Sequence, residues 1–185
     1  MKPFHMARLV ALSLAVGACA SATTTTRVYY DKVGVPDIFQ YAALDRDFLT
    51  EIHGNPSGGP KAAFDASVIA ATHGHARGRP SNFTTTPSAN AREGYRMVLV
   101  FSGDPYLSGE AACREVDAES LRPITGRVEI QAAFCYRDDV LSQVHVAYPQ
   151  GSSSLESAVT QVVLALFPIH DPTVDPGSNN DNLFP

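Results

Sequence analysis

Two neighbouring stretches in which apolar and polar residues alternate give the clearest structural signal in this chain. They span residues 127–137 and 140–148, separated by Asp138 and Asp139. Successive side chains of a strand point to opposite faces of a sheet, so the alternation predicts two strands that share an apolar face. Because the turn is too short for a parallel crossover, we expect an antiparallel hairpin. The apolar face carries Val128, Ile130, Phe134, Val144 and Val146.

A second apolar pattern, now at helical spacing, follows the hairpin in residues 153–167. Ser152 to Ser154 offer N-caps, Glu156 lies in the predicted first turn, and Pro168 ends the pattern. The apolar stripe is wide, so we expect this helix to cover the apolar face of the hairpin. The stripe consists of Leu155, Ala158, Val159, Val162, Val163, Leu166 and Phe167.

Weaker patterns predict the elements that precede the hairpin. Residues 27–30 favour a strand, and the continuously apolar residues 97–101 predict a central strand covered on both faces. Apolar positions three and four apart predict one long helix over residues 37–53 and another over 61–72. The polar residues 77–92, which contain proline and threonine, predict a loop.

These elements together predict an α+β fold: an antiparallel sheet that includes the 127–148 hairpin, covered by helices. Residues 27–170 are enough for one domain with its own core and too few to expect two. Turn formers and acids dominate residues 171–185, which predicts a flexible C-terminal tail. The apolar tip of the tail, Leu183 and Phe184, either docks on a partner or frays.

The N-terminal residues have the parts of an export signal. Lys2 and Arg8 supply positive charge, residues 9–16 are apolar, and the run ends in Val16-Gly17-Ala18-Cys19. The apolar run is about half of the roughly 20 residues that cross a bilayer as a helix. A cysteine directly after small residues at this point resembles the lipobox of bacterial lipoprotein precursors.

That resemblance implies a processed and lipidated protein. Residues 1–18 would be a signal peptide, and Cys19 would carry the lipid, including palmitate-type acyl chains, at the start of a short linker over residues 19–26. Two or more acyl chains hold a protein stably on a membrane. The alternative is an ordinary secreted protein, because Val16-x-Ala18 and Ala20-x-Ala22 also fit the general signal peptidase.

The resemblance also implies a place in the cell. A lipoprotein of this kind is anchored in the bacterial envelope and faces the periplasm, and Ala20 after the cysteine favours the outer membrane over the inner one. Loss of Lys2 and Arg8 with the signal changes the formal charge from −5 to −7. An acidic domain lacks the basic surface that binds nucleic acid, so no nucleic-acid partner is expected.

The chain has three cysteines, and acylation of Cys19 leaves Cys113 and Cys135 as a pair. An exported protein can keep a disulfide, so we expect these two residues to be joined, with the segment around Cys113 crossing the more polar face of the hairpin. Two alternatives are a pair of buried free thiols and a metal site. The metal site lacks the closely spaced ligands that zinc requires.

Several short motifs allow chemistry without requiring it. His73 and His75 offer two imidazoles in a glycine-containing loop, and Ser102 and Asp104 follow the apolar strand, where an active site is often placed. Each motif also has an ordinary interpretation, as a solvated loop or a turn. Asp138 and Asp139 are expected to be exposed at the hairpin tip. Residues 54–61 superficially resemble a phosphate-binding loop but fit an interhelical turn better.

Two hypotheses about function follow. The first is a non-catalytic binding or assembly module, anchored by its lipid and associated with an envelope protein partner, with no catalytic residues, metal or cofactor assigned. The second is a periplasmic enzyme, or a binder of a small ligand or metal, that uses the His73/His75 loop with Ser102 and Asp104. Convergence of these four side chains in one pocket would favour the second hypothesis.

Overall fold

The computed structural model describes residues 24–76, 81–151 and 154–174. The lipobox, Cys19 and the C-terminal Leu183 and Phe184 lie outside the described residues. The elements occur in the order β1 (Thr24–Tyr30), α1 (Val35–Ala43), β2 (Asp47–His53), α2 (Lys61–Thr72), β3 (Asn82–Thr84), β4 (Tyr95–Ser102), α3 (Gly109–Arg114), a 3-10 helix (Ala118–Ser120), β5 (Arg127–Tyr136), β6 (Asp139–Pro149) and α4 (Leu155–Leu166).

Among the described residues, six strands form one sheet in the order β1-β6-β5-β4-β2-β3. The pairs β1/β6, β6/β5 and β5/β4 are antiparallel, which confirms the predicted hairpin. The pairs β4/β2 and β2/β3 are parallel. The fold is therefore α+β with a mixed sheet, and the expectation of an antiparallel sheet is wrong for the half built from β2, β3 and β4.

The predicted long helix over residues 37–53 is instead a helix followed by a strand. Helix α1 ends at Ala43 with Leu44 as its C-cap, and Asp45 has a φ of 53°, which turns the chain sharply. In β2 the burial alternates along the strand, with Phe48, Thr50 and Ile52 on the covered side. Phe48 and Ile52 are four residues apart, a spacing that fits a helix as well as one face of a strand.

The predicted loop over residues 77–92 also contains a strand. Strand β3 has three residues and lies at the sheet edge, where Phe83 is almost completely buried. Other predictions are confirmed: α2 spans Lys61–Thr72, and β4 contains the apolar run. Ser154 stands at the N-cap of α4, although its side chain makes no capping hydrogen bond.

Helices α1, α2 and α4 cover one face of the sheet, which we call the helical face. Val128, Ile130 and Phe134 of β5 join Val159 and Val162 of α4 in a single buried cluster there, as predicted. Rings from four elements and the end of α4 pack edge to face or stacked in the middle of this cluster, which adds to the stabilisation from their buried area. These rings are Phe39, Phe48, Phe83, Phe134 and Phe167.

The opposite face, which we call the open face, is covered by α3 in one part. Cys113 of α3 and Cys135 of β5 lie at bonding distance with their Cα atoms 5.6 Å apart, within the range that a disulfide permits. A small apolar cluster with Val98 and Val100 surrounds the bond. The disulfide expectation is confirmed, and the covalent link fixes α3 on the sheet.

Candidate functional site

The part of the open face beside α3 contains a cleft with a volume of about 360 Å³. Binding pockets for small molecules range from about 300 to 1,000 Å³, so the cleft has room for a small ligand. Strands β5, β6 and β1 form its floor and one wall. The segment that joins β4 to α3 and the first turn of α3 form the other wall.

Two side chains on β1 and one just after it form the first wall. Arg27 and Tyr29 alternate along the strand and therefore point to the same face of the sheet, and Asp31 directly follows the strand. The strand register places Arg27 opposite His145 and Tyr29 opposite Gln143, both on β6. Directly opposite side chains on neighbouring strands are close enough to act on one ligand.

The floor of the cleft consists of polar side chains on β5 and β6. His145 lies opposite Gln131 in the register, and both are about 5% exposed or less. The Gln131 amide nitrogen contacts the Ala132 carbonyl oxygen at 3.3 Å and the Gln143 side-chain oxygen at 3.5 Å. Both distances exceed the usual length of an N–H···O hydrogen bond. The Gln131 amide is therefore buried with only weak internal hydrogen bonds.

The second wall is held in position by hydrogen bonds to the floor and to β1. The Gly109 N–H donates to the Gln143 side-chain oxygen at 2.8 Å, and Arg27 donates to the Pro105 carbonyl oxygen at 3.0 Å. A Cβ atom at position 109 would lie 2.8 Å from that same Gln143 oxygen, so the contact requires glycine. Ser108 caps α3 by accepting the Ala111 N–H.

A largely buried carboxylate, Glu129, extends the floor at one end. The Glu129 carboxylate lies 3.3 Å from His145 Nε2 and 3.5 Å from Arg127 Nε. Burial raises the pKa of Glu129, and the charge of Arg127 opposes that shift. Burial lowers the pKa of His145, Arg27 and Arg127 lower it further, and Asp104 opposes them.

The charged groups that line the cleft are few and mixed in sign. Arg27 is cationic, whereas Asp31 and Glu110 are anionic. Hydrogen bonds from its own backbone N–H and from Ser108 hold the pKa of Glu110 below its usual value, so it stays charged at neutral pH. The Gln143 amide also reaches the Asp31 carboxylate, at 3.4 Å.

The structure brings together only half of the residues proposed for the alternative site. The Asp104 N–H donates to the Ser102 hydroxyl at 3.1 Å, and the register places Ser102 opposite Glu129 at the margin of the cleft. This hydrogen bond gives Ser102 the role of a turn former.

His73 and His75 lie at the other end of the sheet and on the helical side. Lys61, at the start of α2, donates to the Ile52 carbonyl oxygen at the end of β2, and a helix of 12 residues then runs about 18 Å back. Strands β2 and β4 are parallel, so Ser102 lies at the end where α2 starts. Within residues 24–76, 81–151 and 154–174, no three His, Cys, Asp or Glu residues are placed to hold a metal ion.

The two remaining motifs have structural roles. Residues 54–61 connect a strand to a helix rather than two helices, and the Lys61 ammonium pairs with Asp65 as well as with the Ile52 carbonyl. Asp138 and Asp139 are exposed at the hairpin tip, as expected.

The sequence interpretation missed the residues that build the cleft. Alternation along residues 140–148 places His145 on the more polar face of its strand, but it does not connect that face with Arg27, Gln131 or Gln143. The available signal is a set of large polar side chains, interspersed with small residues, on one face of the hairpin.

No protein-family model and no curated protein matches this chain at a significant level. Among the residues that the structure describes, no helix is long and apolar enough to cross a membrane.

Proposed function

We propose that this chain is a lipid-anchored protein of the bacterial envelope whose domain is a non-catalytic binding module, with the open-face cleft as its binding site. The main evidence for a binding role is the cleft itself. Buried Gln131 and His145 on two neighbouring strands, with the exposed Arg27 of β1 beside them, face a cavity that a disulfide-fixed helix closes on one side. Convergent polar groups in a formed cavity are typical of a binding site.

The chemistry of the site supports binding rather than catalysis. Ser102 accepts a backbone hydrogen bond within its turn, and both cysteines near the cleft are joined to each other, so neither thiol serves as a nucleophile. The polar groups of the floor and walls contact one another in a fixed arrangement. Such an arrangement lowers the entropy cost of binding a ligand.

The proposed anchor lies close to the cleft along the chain. Strand β1 begins at Thr24, five residues after Cys19, and five residues span at most about 18 Å. The same strand carries Arg27 and Tyr29 in the wall of the cleft. Acylation of Cys19 would thus hold the cleft near the membrane surface, where its ligand or an envelope partner is met. On the sorting argument from Ala20, that membrane is the outer one.

Replacement of Cys19 tests the anchor. In a bacterial host fed labelled palmitate, the parent chain should take up label and sediment with outer membranes, whereas Cys19→Ala should take up none and leave the membrane fraction. The double variant Cys113→Ala/Cys135→Ala keeps the lipobox and should be labelled like the parent. Label in Cys19→Ala would contradict the proposal, because no other residue fits a lipobox.

A further inference from the structure

We propose that the cleft binds a saccharide, through a ring that carries neighbouring hydroxyl groups. This inference rests on the proposed binding role of the cleft and adds the chemical class of the ligand. It follows from three properties of the cleft: the mixture of donors and acceptors, the exposed tyrosines at its rim, and the charge of its lining.

The donors and acceptors of the cleft match hydroxyl groups. A hydroxyl both donates and accepts, and a pair of neighbouring hydroxyls on a ring fits a planar side chain with two polar atoms. The cleft offers four such side chains, on adjacent strands and just after β1: the amides of Gln131 and Gln143, the guanidinium of Arg27 and the carboxylate of Asp31. Amides supply donor and acceptor together, a guanidinium only donates, and carboxylate oxygens accept.

The floor has a buried polar group that a ligand would satisfy. Gln131 is 4% exposed, and its amide nitrogen makes only the two long contacts described above, at 3.3 and 3.5 Å. A buried polar group with poor hydrogen bonds is costly. A ligand hydroxyl that reaches the floor would give this amide a shorter hydrogen bond.

Two tyrosines at the rim supply the apolar surface that a sugar ring needs. Tyr29 on β1 is 55% exposed, and Tyr106 on the opposite wall is 79% exposed. The face of an aromatic ring is negative, so it attracts the C–H groups that cover the flat side of a pyranose. Tyrosine is also rigid, so little conformational freedom is lost when it packs on a ligand.

The charge and polarity of the lining exclude other ligand classes. One guanidinium faces the two carboxylates of Asp31 and Glu110, which disfavours phosphates, nucleotides and other anions. Leu107 contributes an aliphatic side chain to the lining, whereas the Val144 side chain packs in the core of the helical face, so the lining is too polar to hold an acyl chain. A neutral ligand rich in hydroxyl groups fits the polar lining of the cleft.

Titration of the purified full chain tests the inference. The protein is kept in a detergent without sugar head groups, and maltose, cellobiose and N,N′-diacetylchitobiose are added up to about 10 mM, where a site with a Kd of about 1 mM is about 90% occupied. We expect saturable binding of at least one disaccharide by calorimetry. The permethylated form of that disaccharide keeps the ring but loses its donors and should not bind.

Tyrosine variants locate the binding. Tyr106→Ala and Tyr29→Ala should each weaken binding by about tenfold, the upper range for one aromatic contact. Tyr41→Ala is the matched control, because Tyr41 is also 55% exposed but lies on α1, on the helical side. It should leave the Kd unchanged. Equal effects of Tyr29→Ala and Tyr41→Ala would overturn the assignment to the cleft.

The remaining outcomes separate this inference from the proposed function. Sedimentation with purified cell-wall glycan distinguishes a wall polymer from a free sugar as the source of the saccharide, and binding of either supports the inference. If no disaccharide and no wall glycan binds, the saccharide class is wrong. Acylation of Cys19 is measured independently and would still support the anchor. Binding of a peptide in the cleft, abolished by Tyr106→Ala, would also leave the binding role standing.

Discussion

At the scale of single residues, the cleft was hidden because its parts are far apart in the sequence. Arg27, Gln131 and His145 become neighbours only through the register of β1, β6 and β5. Periodicity assigns each of them to a face of its own strand but cannot say which strands lie side by side. Ser102 and Asp104 were placed correctly near a strand end because that argument is local. The hypothesis that combines His73 and His75 with Ser102 and Asp104 rests only on the types of these residues.

Burial of a single tyrosine hydroxyl makes stability depend on alkaline pH. Tyr148 is 3% exposed on the helical face, and burial raises its pKa to about 12 from a usual value of 10.0. Between these two values the unfolded chain loses the proton while the folded chain keeps it. The stabilisation is therefore complete below pH 10 and is lost as the pH rises towards about 12.

Tyr148→Phe removes this titration and leaves the ring in place. We expect the variant to match the parent within about 1 kcal/mol near pH 8, and to be more stable than the parent by about 2 kcal/mol near pH 12. Urea unfolding at both pH values measures the difference, and titrations shared by the two proteins cancel. A difference between variant and parent that does not change with pH would contradict the prediction.

At the scale of elements, the sequence predicted the hairpin, α2, β4 and α4, and failed where one apolar spacing fits two structures. Apolar residues four apart suit a helix and also one face of a strand, so the pattern merges β2 with a helix that in fact ends at Ala43. Because the pattern does not predict β2 as a strand, it does not predict the parallel pairs that β2 makes with β3 and β4 either. The three residues of β3 are too few to show a period, and Phe83 is held there by the aromatic core.

The disulfide that ties α3 to β5 should contribute to stability and to the shape of the cleft. Cys113 and Cys135 are 22 residues apart, and closing a loop of that size stabilises a fold by about 3 kcal/mol in the chain-entropy model. Cys113→Ala/Cys135→Ala should lower the free energy of unfolding by about that amount. It should also weaken ligand binding, because α3 supplies one wall.

Urea unfolding of the double alanine variant, with and without a reductant, measures the effect. The parent under reducing conditions serves as the control and should resemble the variant, whereas the variant itself should not respond to the reductant. Equal stability of the oxidised parent and the variant would show that packing around Val98 and Val100 alone holds α3.

At the scale of the whole molecule, the two faces of the sheet have separate tasks. Helices α1, α2 and α4 and the aromatic cluster stabilise the helical face. The open face carries few large apolar side chains beyond the cluster around Cys113, and this leaves room for polar groups in the cleft. Strand β1 is at the sheet edge and begins at Thr24, within the predicted linker of residues 19–26, so the proposed anchor and the cleft share one edge.

This division of tasks depends on α4 being a core helix rather than a partner-binding surface. Val162 is fully buried against the hairpin, so Val162→Asp places an unpaired charge in the core and should cost roughly 3 to 5 kcal/mol, a large part of a typical domain's stability. Ser157→Asp, exposed on the same helix, is the control and should leave stability nearly unchanged. Thermal unfolding compares the two variants. If Val162→Asp melted like the control, the apolar stripe would not be packed on the sheet, and α4 would have to be reassigned as an interaction surface.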